Sequence, residues 1–135
     1  MVFLASPGAV GIFFNPVRPV QKSSMFRRIL VANRGEIAAR IIRGVQKVGA
    51  EAVVAAADDD ASSIAALTAD RVTKLGLKGP QAFLDAERLV RAAVDNGCDA
   101  LHPGIGFLSE SPVVCNLLIA CLHSSTHACI ISERL

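Results

Sequence analysis

The residues best suited to chemistry begin in a tight turn, "NRGE", made by Asn33, Arg34, Gly35 and Glu36. The apolar run "ILVA" precedes the turn and an amphipathic segment follows it, an order typical of units in which a helix N-terminus holds phosphate. One glycine cannot supply both the tight turn and the close backbone approach that a pyrophosphate requires. Glu36 adds a negative charge in the first helical turn, where it competes with phosphate. Two interpretations stay open: the turn orients a ligand or partner, or Asn33 and Glu36 cap a structural helix.

Arg40 lies one turn beyond Glu36 on the polar face of the same helical segment. The i,i+4 spacing favours an ion pair between these two side chains. By itself Arg40 is a solvated charge, whereas beside a second loop its guanidinium can bind an anion or a partner subunit.

A second loop, "HPGIGFLSE" (residues 102–110), combines a histidine with backbone-shaping residues. Gly104 and Gly106 permit conformations closed to other residues, which can bring main-chain N–H groups close to a ligand. His102 is a candidate acid–base group, although a single histidine at a strand end also serves structural roles. Glu110 can orient a substrate or cap the next helix.

The chain between these loops alternates short apolar runs with helical patterns. The runs "ILVA", "EAVVAAA", "RVTKL" and "CDALH" predict strands at residues 29–32, 51–57, 71–75 and 98–102. Helices are expected near residues 35–48, 64–70 and 84–96. The predicted core face of the first helix consists of Ile37, Ile41, Val45 and Val48, widened by Ala38 and Ile42, and that of the third consists of Leu84, Leu89, Val90, Ala93 and Val94.

This alternation predicts a three-layer α/β domain of the Rossmann-like type, built on a four-stranded parallel sheet. The strand order expected for such a half-Rossmann unit is 3-2-1-4, which makes strands 1 and 4 neighbours. The "NRGE" and "HPGIGFLSE" loops then meet at the carboxyl edge of the sheet, where ligands bind in open α/β folds. The pattern locates a site without naming its ligand.

Composition narrows the class of protein. Of 135 residues, 52% are hydrophobic and 19% charged, which indicates a packed core, and the net charge of +2 argues against a nucleic-acid partner. No apolar run is long enough to cross a bilayer, so no membrane association is expected. Three of the four cysteines, Cys115, Cys121 and Cys129, crowd the C-terminal end, a distribution that favours a reducing compartment over a disulfide scaffold.

Neither end of the chain shows the regular pattern of the middle. Residues 1–24 lack acidic residues and helical periodicity, and are expected to be an unstructured leader or extension; a transit peptide is one alternative. Residues 113–135 either form an apolar helix, a "HSSTH" turn and a fragment of a fifth strand at "ACIIS", or do not belong to the fold. The second alternative is favoured, with poor order. The cysteine and histidine spacing in this tail does not match a zinc site, and "DDD" (residues 58–60) lacks calcium-ligand spacing, so no metal site is expected.

The stretches "ILVANRGEIAARIIR", "TADRVTKLG", "FLD" and "GCDALHPGIGFLSE", in this order and spacing, resemble the biotin carboxylase family. The resemblance covers residues 25–112. It implies the N-terminal, Rossmann-like domain that precedes an ATP-grasp domain in acetyl-CoA, propionyl-CoA, methylcrotonyl-CoA and pyruvate carboxylases. In such a parent enzyme ATP and magnesium bind mainly in the ATP-grasp part, and CO₂ formed from carboxyphosphate reaches biotin.

The resemblance also implies roles for the loops. The N-terminal domain is expected to form a wall on the biotin and bicarbonate side of the active site and to contribute to a homodimer interface. Arg40 is expected to lie beside both. A biotin carboxyl carrier domain is expected to deliver biotin. The family usually has "HPGYGFLSE", so Ile105 replaces a tyrosine near biotin. No counterpart of the ATP-grasp domain is present in the 135 residues, so this chain alone is expected to bind no cofactor and to be inactive. The expected compartment is the cytoplasm or the mitochondrial matrix.

Two rival interpretations belong to other classes of protein. One is a non-catalytic module that docks on a full-length carboxylase. The other is an independent half-Rossmann domain that binds a small ligand.

Overall fold

The structure, a computed structural model, describes residues 26–121 and the backbone of residues 129–130. One parallel sheet with the strand order β3-β2-β1-β4-β5 forms its centre, so the predicted order of the first four strands is confirmed. The strands are β1 (Arg28–Val31), β2 (Glu51–Ala56), β3 (Arg71–Lys74), β4 (Ala100–His102) and β5 (Cys129–Ile130). β4 begins two positions later than predicted, at Ala100 instead of Cys98.

Helices cover both faces of the sheet, which gives the predicted three layers. They are α1 (Gly35–Lys47), α2 (Ile64–Thr68), α3 (Ala86–Asp95) and α4 (Pro112–Cys121), with a 3₁₀ turn at Pro80–Phe83 before α3. Side chains alternate between the faces along each strand. Leu30 and Val53 lie in the core under α3 and α4, whereas Ile29 and Val31 lie in the core under α1 and α2. Burial on both faces explains why β1 and β2 are almost continuously apolar, whereas β3, at the edge of the sheet, is largely exposed.

The predicted core face of α1 is confirmed for Ala38, Ile42 and Val45 and wrong for Ile37 and Val48. The buried residues are Ala38, Ala39, Ile42 and Val45, while Ile37 is 38% and Val48 62% exposed. The two adjacent alanines have small side chains, and the helix rests on them against the sheet. The larger apolar residues at its flank are therefore left partly uncovered.

The third predicted helix also needs correction. α3 begins at Ala86, because Asp85 is its N-cap and accepts a hydrogen bond of 3.0 Å from Arg88 N. That bond holds the pKa of the Asp85 carboxyl below its ordinary value. Leu84 and Val94, which were predicted to face inward, are 55% and 41% exposed, and Ala92 is buried instead.

The helix and the strand beyond Pro112 follow the alternative that was not favoured from the sequence. Val114 and Leu118 of α4 are 1% and 2% exposed and belong to the core under α3. β5 pairs in parallel with β4, with Cys129 opposite Ala100. The "HSSTH" segment and residues 1–24 lie outside the described residues.

Candidate functional site

The two candidate loops leave the sheet side by side. Val31 at the end of β1 pairs with His102 at the end of β4, and Ala32 N donates a hydrogen bond of 2.9 Å to His102 O. The "NRGE" turn and the "HPGIGFLSE" loop therefore start from the same point on the carboxyl edge of the sheet, as the predicted strand order requires.

Asn33 joins the two loops. Its side-chain Nδ2 donates to Pro103 O at 2.8 Å and to Ile105 O at 3.0 Å, and its Oδ1 accepts from Arg34 N at 2.8 Å. The residue is only 1% exposed, so its amide is committed to these backbone partners. The capping interpretation fails for this side chain, because the N-cap of α1 is Arg34, whose own side chain makes no capping hydrogen bond.

Gly104 lies against the Asn33 amide. Its φ is +70°, and a Cβ placed there would lie 2.7 Å from Asn33 Nδ2 and 3.1 Å from Ile37 Cγ2. Gly35 and Gly106 have φ values of +61° and +71°, yet a Cβ at either would meet no atom of residues 26–121 within 4 Å. Gly104 therefore has to lack a side chain, because the Asn33 side chain packs directly against it.

His102 is buried at 8% exposure, at the base of the loop. Its Nδ1 accepts a hydrogen bond of 3.1 Å from Gly104 N. An imidazole nitrogen that accepts a hydrogen bond carries no proton, so the neutral ring has its proton on Nε2.

A groove of about 470 Å³ opens between α1 and the second loop. Its lining is mostly aliphatic, and among the described residues Arg40 is the one permanently charged side chain there. The described residues that line it are Ile29, Ile37, Arg40, Ile41, Gly44, Val45, Val48, His102, Gly104 and Ile105.

Four of the candidate residues thus come together: Arg40, His102, Gly104 and Ile105. Among the other six, Asn33 braces the loop, and Arg34, Gly35, Glu36, Gly106 and Glu110 do not line the groove. The expected pair between Glu36 and Arg40 is not formed among the described residues.

The sequence did not predict Ile37 and Val48 as lining residues of the groove, because both were placed in the core. Adjacent alanines at residues 38 and 39 were the signal that could have shifted the core face.

Arg34 points away from the groove to the loop after β2. Its Nη2 lies 3.0 Å from Asp60 Oδ1 and 2.9 Å from Oδ2. Arg34 therefore ties the first turn to the acidic "DDD" segment, a contact between the ends of two adjacent strands.

The other two carboxylates of that segment hold the loop after β3. Asp58 Oδ1 accepts from Gly76 N at 3.2 Å, and Asp59 Oδ1 accepts from Gly79 N at 3.0 Å. The Gly79 hydrogen bond holds the pKa of the Asp59 carboxyl below its ordinary value. These acidic residues thus connect loops at the carboxyl edge.

The groove can hold an apolar group next to an anion, or the apolar surface of a partner that carries an acidic residue. Within residues 26–121, no three His, Cys, Asp or Glu side chains come together as a metal centre would require. Nor is any helix in that stretch long and apolar enough to span a membrane.

A family profile, related sequences and solved structures all indicate the same family for this chain. The profile of the family described as "Biotin carboxylase, N-terminal domain" matches residues 25–121, nine residues beyond the limit of the resemblance recognised in the sequence. The mitochondrial propionyl-CoA carboxylase alpha chain of Caenorhabditis elegans is 39% identical over 104 residues, 76% of this chain and 13% of its own length. The 2-oxoglutarate carboxylase small subunit of Hydrogenobacter thermophilus is 39% identical over 87 residues, 64% of this chain and 18% of its own length.

Solved structures agree with these relatives. A biotin carboxylase domain of a single-chain bacterial carboxylase superposes with a TM-score of 0.67 at 38% identity, over 77% of this chain and 23% of that one. A biotin carboxylase domain of a thermophilic 2-oxoglutarate carboxylase, described as bound to bicarbonate, gives a TM-score of 0.67 at 33% identity, over 78% and 23%. This chain thus spans less than a quarter of the length of each of these relatives. By its sequence profile and its fold, the chain belongs to the biotin carboxylase N-terminal domain family.

Proposed function

We propose that this chain is the N-terminal segment of a biotin carboxylase, in which it forms one wall of the biotin and bicarbonate side of the active site. The observation that carries the proposal is the Asn33 bridge, since it unites the two family-like loops beside a groove that contains Arg40. The bicarbonate-bound relative, which has the same fold, supports this assignment. In the parent enzyme, biotin would arrive on a carboxyl carrier domain.

Arg40 is the residue proposed to meet an anion or a second subunit. It is exposed on α1 and lies in the groove among aliphatic side chains, where a guanidinium attracts carboxylates more strongly than in open solvent. Ile37, Val48 and Ile105 leave apolar surface beside it, which an additional domain or a second subunit would cover.

The 135 residues are not expected to catalyse the reaction by themselves. Transfer of a phosphoryl group from ATP depends on positioning and on neutralisation of charge by cations. The described loops contain no glycine-rich phosphate cradle. The space beside Gly104, where a phosphate could approach the backbone, is occupied by the Asn33 side chain. ATP and magnesium are therefore assigned to the remainder of the parent enzyme.

The test compares the purified 135-residue chain with a chimera. The chain alone should give no bicarbonate-dependent ATP cleavage and no carboxylation of free biotin above a blank. The chimera is a biotin carboxylase of known activity whose own N-terminal domain is replaced by residues 25–121 of this chain, and it should carboxylate free biotin. A matched chimera with Arg40→Ala, whose folding is checked separately, shows how much of the carboxylation activity depends on the groove.

Three outcomes would count against the proposal. Turnover by the isolated chain would contradict the assignment of catalysis to other domains. A chimera that folds without activity would show that residues 25–121 have lost the family function. Tight binding of a nucleotide by the isolated chain would favour an independent ligand-binding domain instead.

A further inference from the structure

The "HPGIGF" part of the second loop is fixed at both of its ends. At one end Asn33 Nδ2 holds the carbonyl groups of Pro103 and Ile105. At the other end the ring of Phe107 packs against Phe83, with 5.3 Å between the ring centroids. Phe83 is itself fully buried, so this end of the loop is attached to the core.

The backbone conformation of the loop depends on these contacts. Phe107 has a φ of +49°, which is unfavourable for a bulky residue and persists only where the surroundings impose it. Inside the loop, Gly104 N donates to His102 Nδ1 and Ser109 N donates to Gly106 O at 3.0 Å. All of these constraints point to one fixed conformation.

We propose that Asn33 is a positioning residue that makes the "HPGIGF" loop a preformed wall of the groove. Asn33 does not touch a ligand. It holds the main chain on both sides of Gly104 and thereby sets where Ile105 stands at the groove. That this wall faces biotin and bicarbonate rests on the proposed function, whereas the fixed conformation rests on the hydrogen bonds alone.

The chemistry of the bridge explains why an amide is required. Both acceptors are carbonyl oxygens, so the side chain must donate twice, and its third bond must accept from Arg34 N. An amide supplies both kinds of group, whereas an ionised carboxylate only accepts. Asn33→Asp would turn a negative oxygen towards two carbonyl groups. Burial and these carbonyls raise the pKa of such a carboxyl, and its protonated form regains one donor.

The experiment measures hydrogen exchange by NMR on the full chain, with Asn33→Asp and Asn33→Ala as the variants. The reporters are the amides of Gly104 and Ser109, and the amides of Val53 and Val54 in β2 report global opening. Every protection factor is taken relative to that of the unaltered chain at the same pH. In the unaltered chain, the Asn33 side-chain NH₂ should also exchange slowly.

Asn33→Asp should lower the protection of the two loop amides at least tenfold at pH 7, without a change in β2. At Ser109, whose amide donates to a backbone carbonyl, this loss should shrink as the pH falls to 5, because the introduced carboxyl becomes protonated. Asn33→Ala should show the same loss at Ser109 at both pH values. The Gly104 amide is compared at pH 7 only, because its acceptor is the titratable ring of His102. Recovery in the Asp variant alone is a signature that a general packing defect does not produce.

Three results would overturn the proposal. The first is equal loss in the loop and in β2, and the second is the same pH response in both variants. The third concerns the unaltered chain and applies even if neither variant folds: rapid exchange of the Asn33 NH₂ and of the Gly104 amide would mean that the wall is not fixed. No reporter depends on biotin, bicarbonate or ATP, so an inactive chimera leaves this inference standing, and a mobile loop leaves the family assignment standing.

Discussion

Asn33 and Gly104 pack so closely that a Cβ atom at residue 104 would lie 2.7 Å from Asn33 Nδ2. The side-chain amide of one loop thus occupies the space where the other loop would carry a side chain. This contact makes one structural unit of two loops that lie 70 residues apart in the sequence, as measured between Asn33 and Pro103. The unit forms the rim of the groove that contains Arg40.

Gly104→Ala should destabilise the chain more than Gly106→Ala. Both positions have φ near +70°, so both alanines pay about 1–2 kcal/mol for a left-handed conformation. Of the two, only the alanine at 104 meets a neighbour among the described residues, and overpacking of this kind costs roughly 1–3 kcal/mol more. Urea denaturation of the two variants measures the difference. Equal free energies of unfolding would mean that the loop shifts away from Asn33 at no cost.

Leu118→Ala tests whether α4 is part of the folded domain. Leu118 is 2% exposed and lies in the core under α3, so its truncation should lower the free energy of unfolding by about 2–5 kcal/mol. The neighbouring Ile119 is 55% exposed, and Ile119→Ala is the matched control, with an expected change of about 0.5 kcal/mol or less. Thermal or chemical denaturation measures both. A similar small change in the two variants would place the domain boundary near Pro112.

The strand order could be predicted from the sequence because it depends on a general rule. Alternating strands and helices with right-handed crossovers give few possible topologies, and the rule holds whatever the side chains are. Which face of a helix is buried is harder to predict than the strand order, because it depends on the individual side chains. In α1, Ala38 and Ala39 pack against the sheet, and Ile37 and Val48 consequently lie at the exposed side of the helix. Periodicity predicted the burial of Ala38, Ile42 and Val45 correctly. Because it favours large side chains, it also placed Ile37 and Val48 in the core, where the structure does not have them.

The sequence predicted where the two candidate loops meet, but not the hydrogen bonds that join them. Meeting of the two loops followed from the neighbouring positions of β1 and β4. The role of Asn33 did not, because its partners are carbonyl groups of a distant segment, and no local pattern specifies them. His102 likewise accepts a bond from Gly104 N that depends on the shape of the loop.

Glu51→Gln should lower stability at neutral pH and have little effect in acid. Arg28 donates from Nε to Glu51 Oε2 at 2.8 Å, and Arg71 Nε bonds the other oxygen. The Arg28 hydrogen bond, helped by Arg71, holds the pKa of the Glu51 carboxyl below its ordinary value of 4.5. A lowered pKa in the folded state means that the ionised carboxylate adds stability above about pH 4.5, and that this stability is lost as the pH falls through the folded-state pKa.

The measurement is urea denaturation of the Glu51→Gln variant at several pH values. At pH 7 the variant should be less stable by about 1 kcal/mol, and the difference should narrow below pH 4.5. The control is Glu110→Gln, since Glu110 is exposed and makes no ion pair within residues 26–121. A constant difference at all pH values would contradict an electrostatic role for Glu51.

Cys98 should resist alkylation while the chain is folded. Burial raises the pKa of its thiol to about 12, so the reactive thiolate is scarce at pH 8. Cys115 is exposed on α4 and serves as the internal control. Brief treatment with iodoacetamide followed by peptide mass spectrometry should find label on Cys115 and none on Cys98. In denaturant both should react, and equal labelling of the folded chain would show that the core under α3 opens readily.

Ile105→Tyr should raise the activity of the chimera that carries residues 25–121. Ile105 is 61% exposed at the groove, so a larger side chain fits there without displacing the core. Asn33 holds the carbonyl of residue 105 whatever its side chain is, and the new ring is therefore presented in a fixed position. A tyrosine would restore the ring and hydroxyl expected near biotin.

The Ile105→Phe chimera separates these two contributions, because it adds the ring without the hydroxyl. Steady-state rates of carboxylation of free biotin should increase in the order isoleucine, phenylalanine, tyrosine. Equal values of kcat/KM for phenylalanine and tyrosine would assign the effect to packing alone, because a hydroxyl that bonds to substrate must add to the rate. Unchanged rates in both variants, with folding intact, would mean that residue 105 does not reach the reacting groups and that the wall of the site lies elsewhere on the groove.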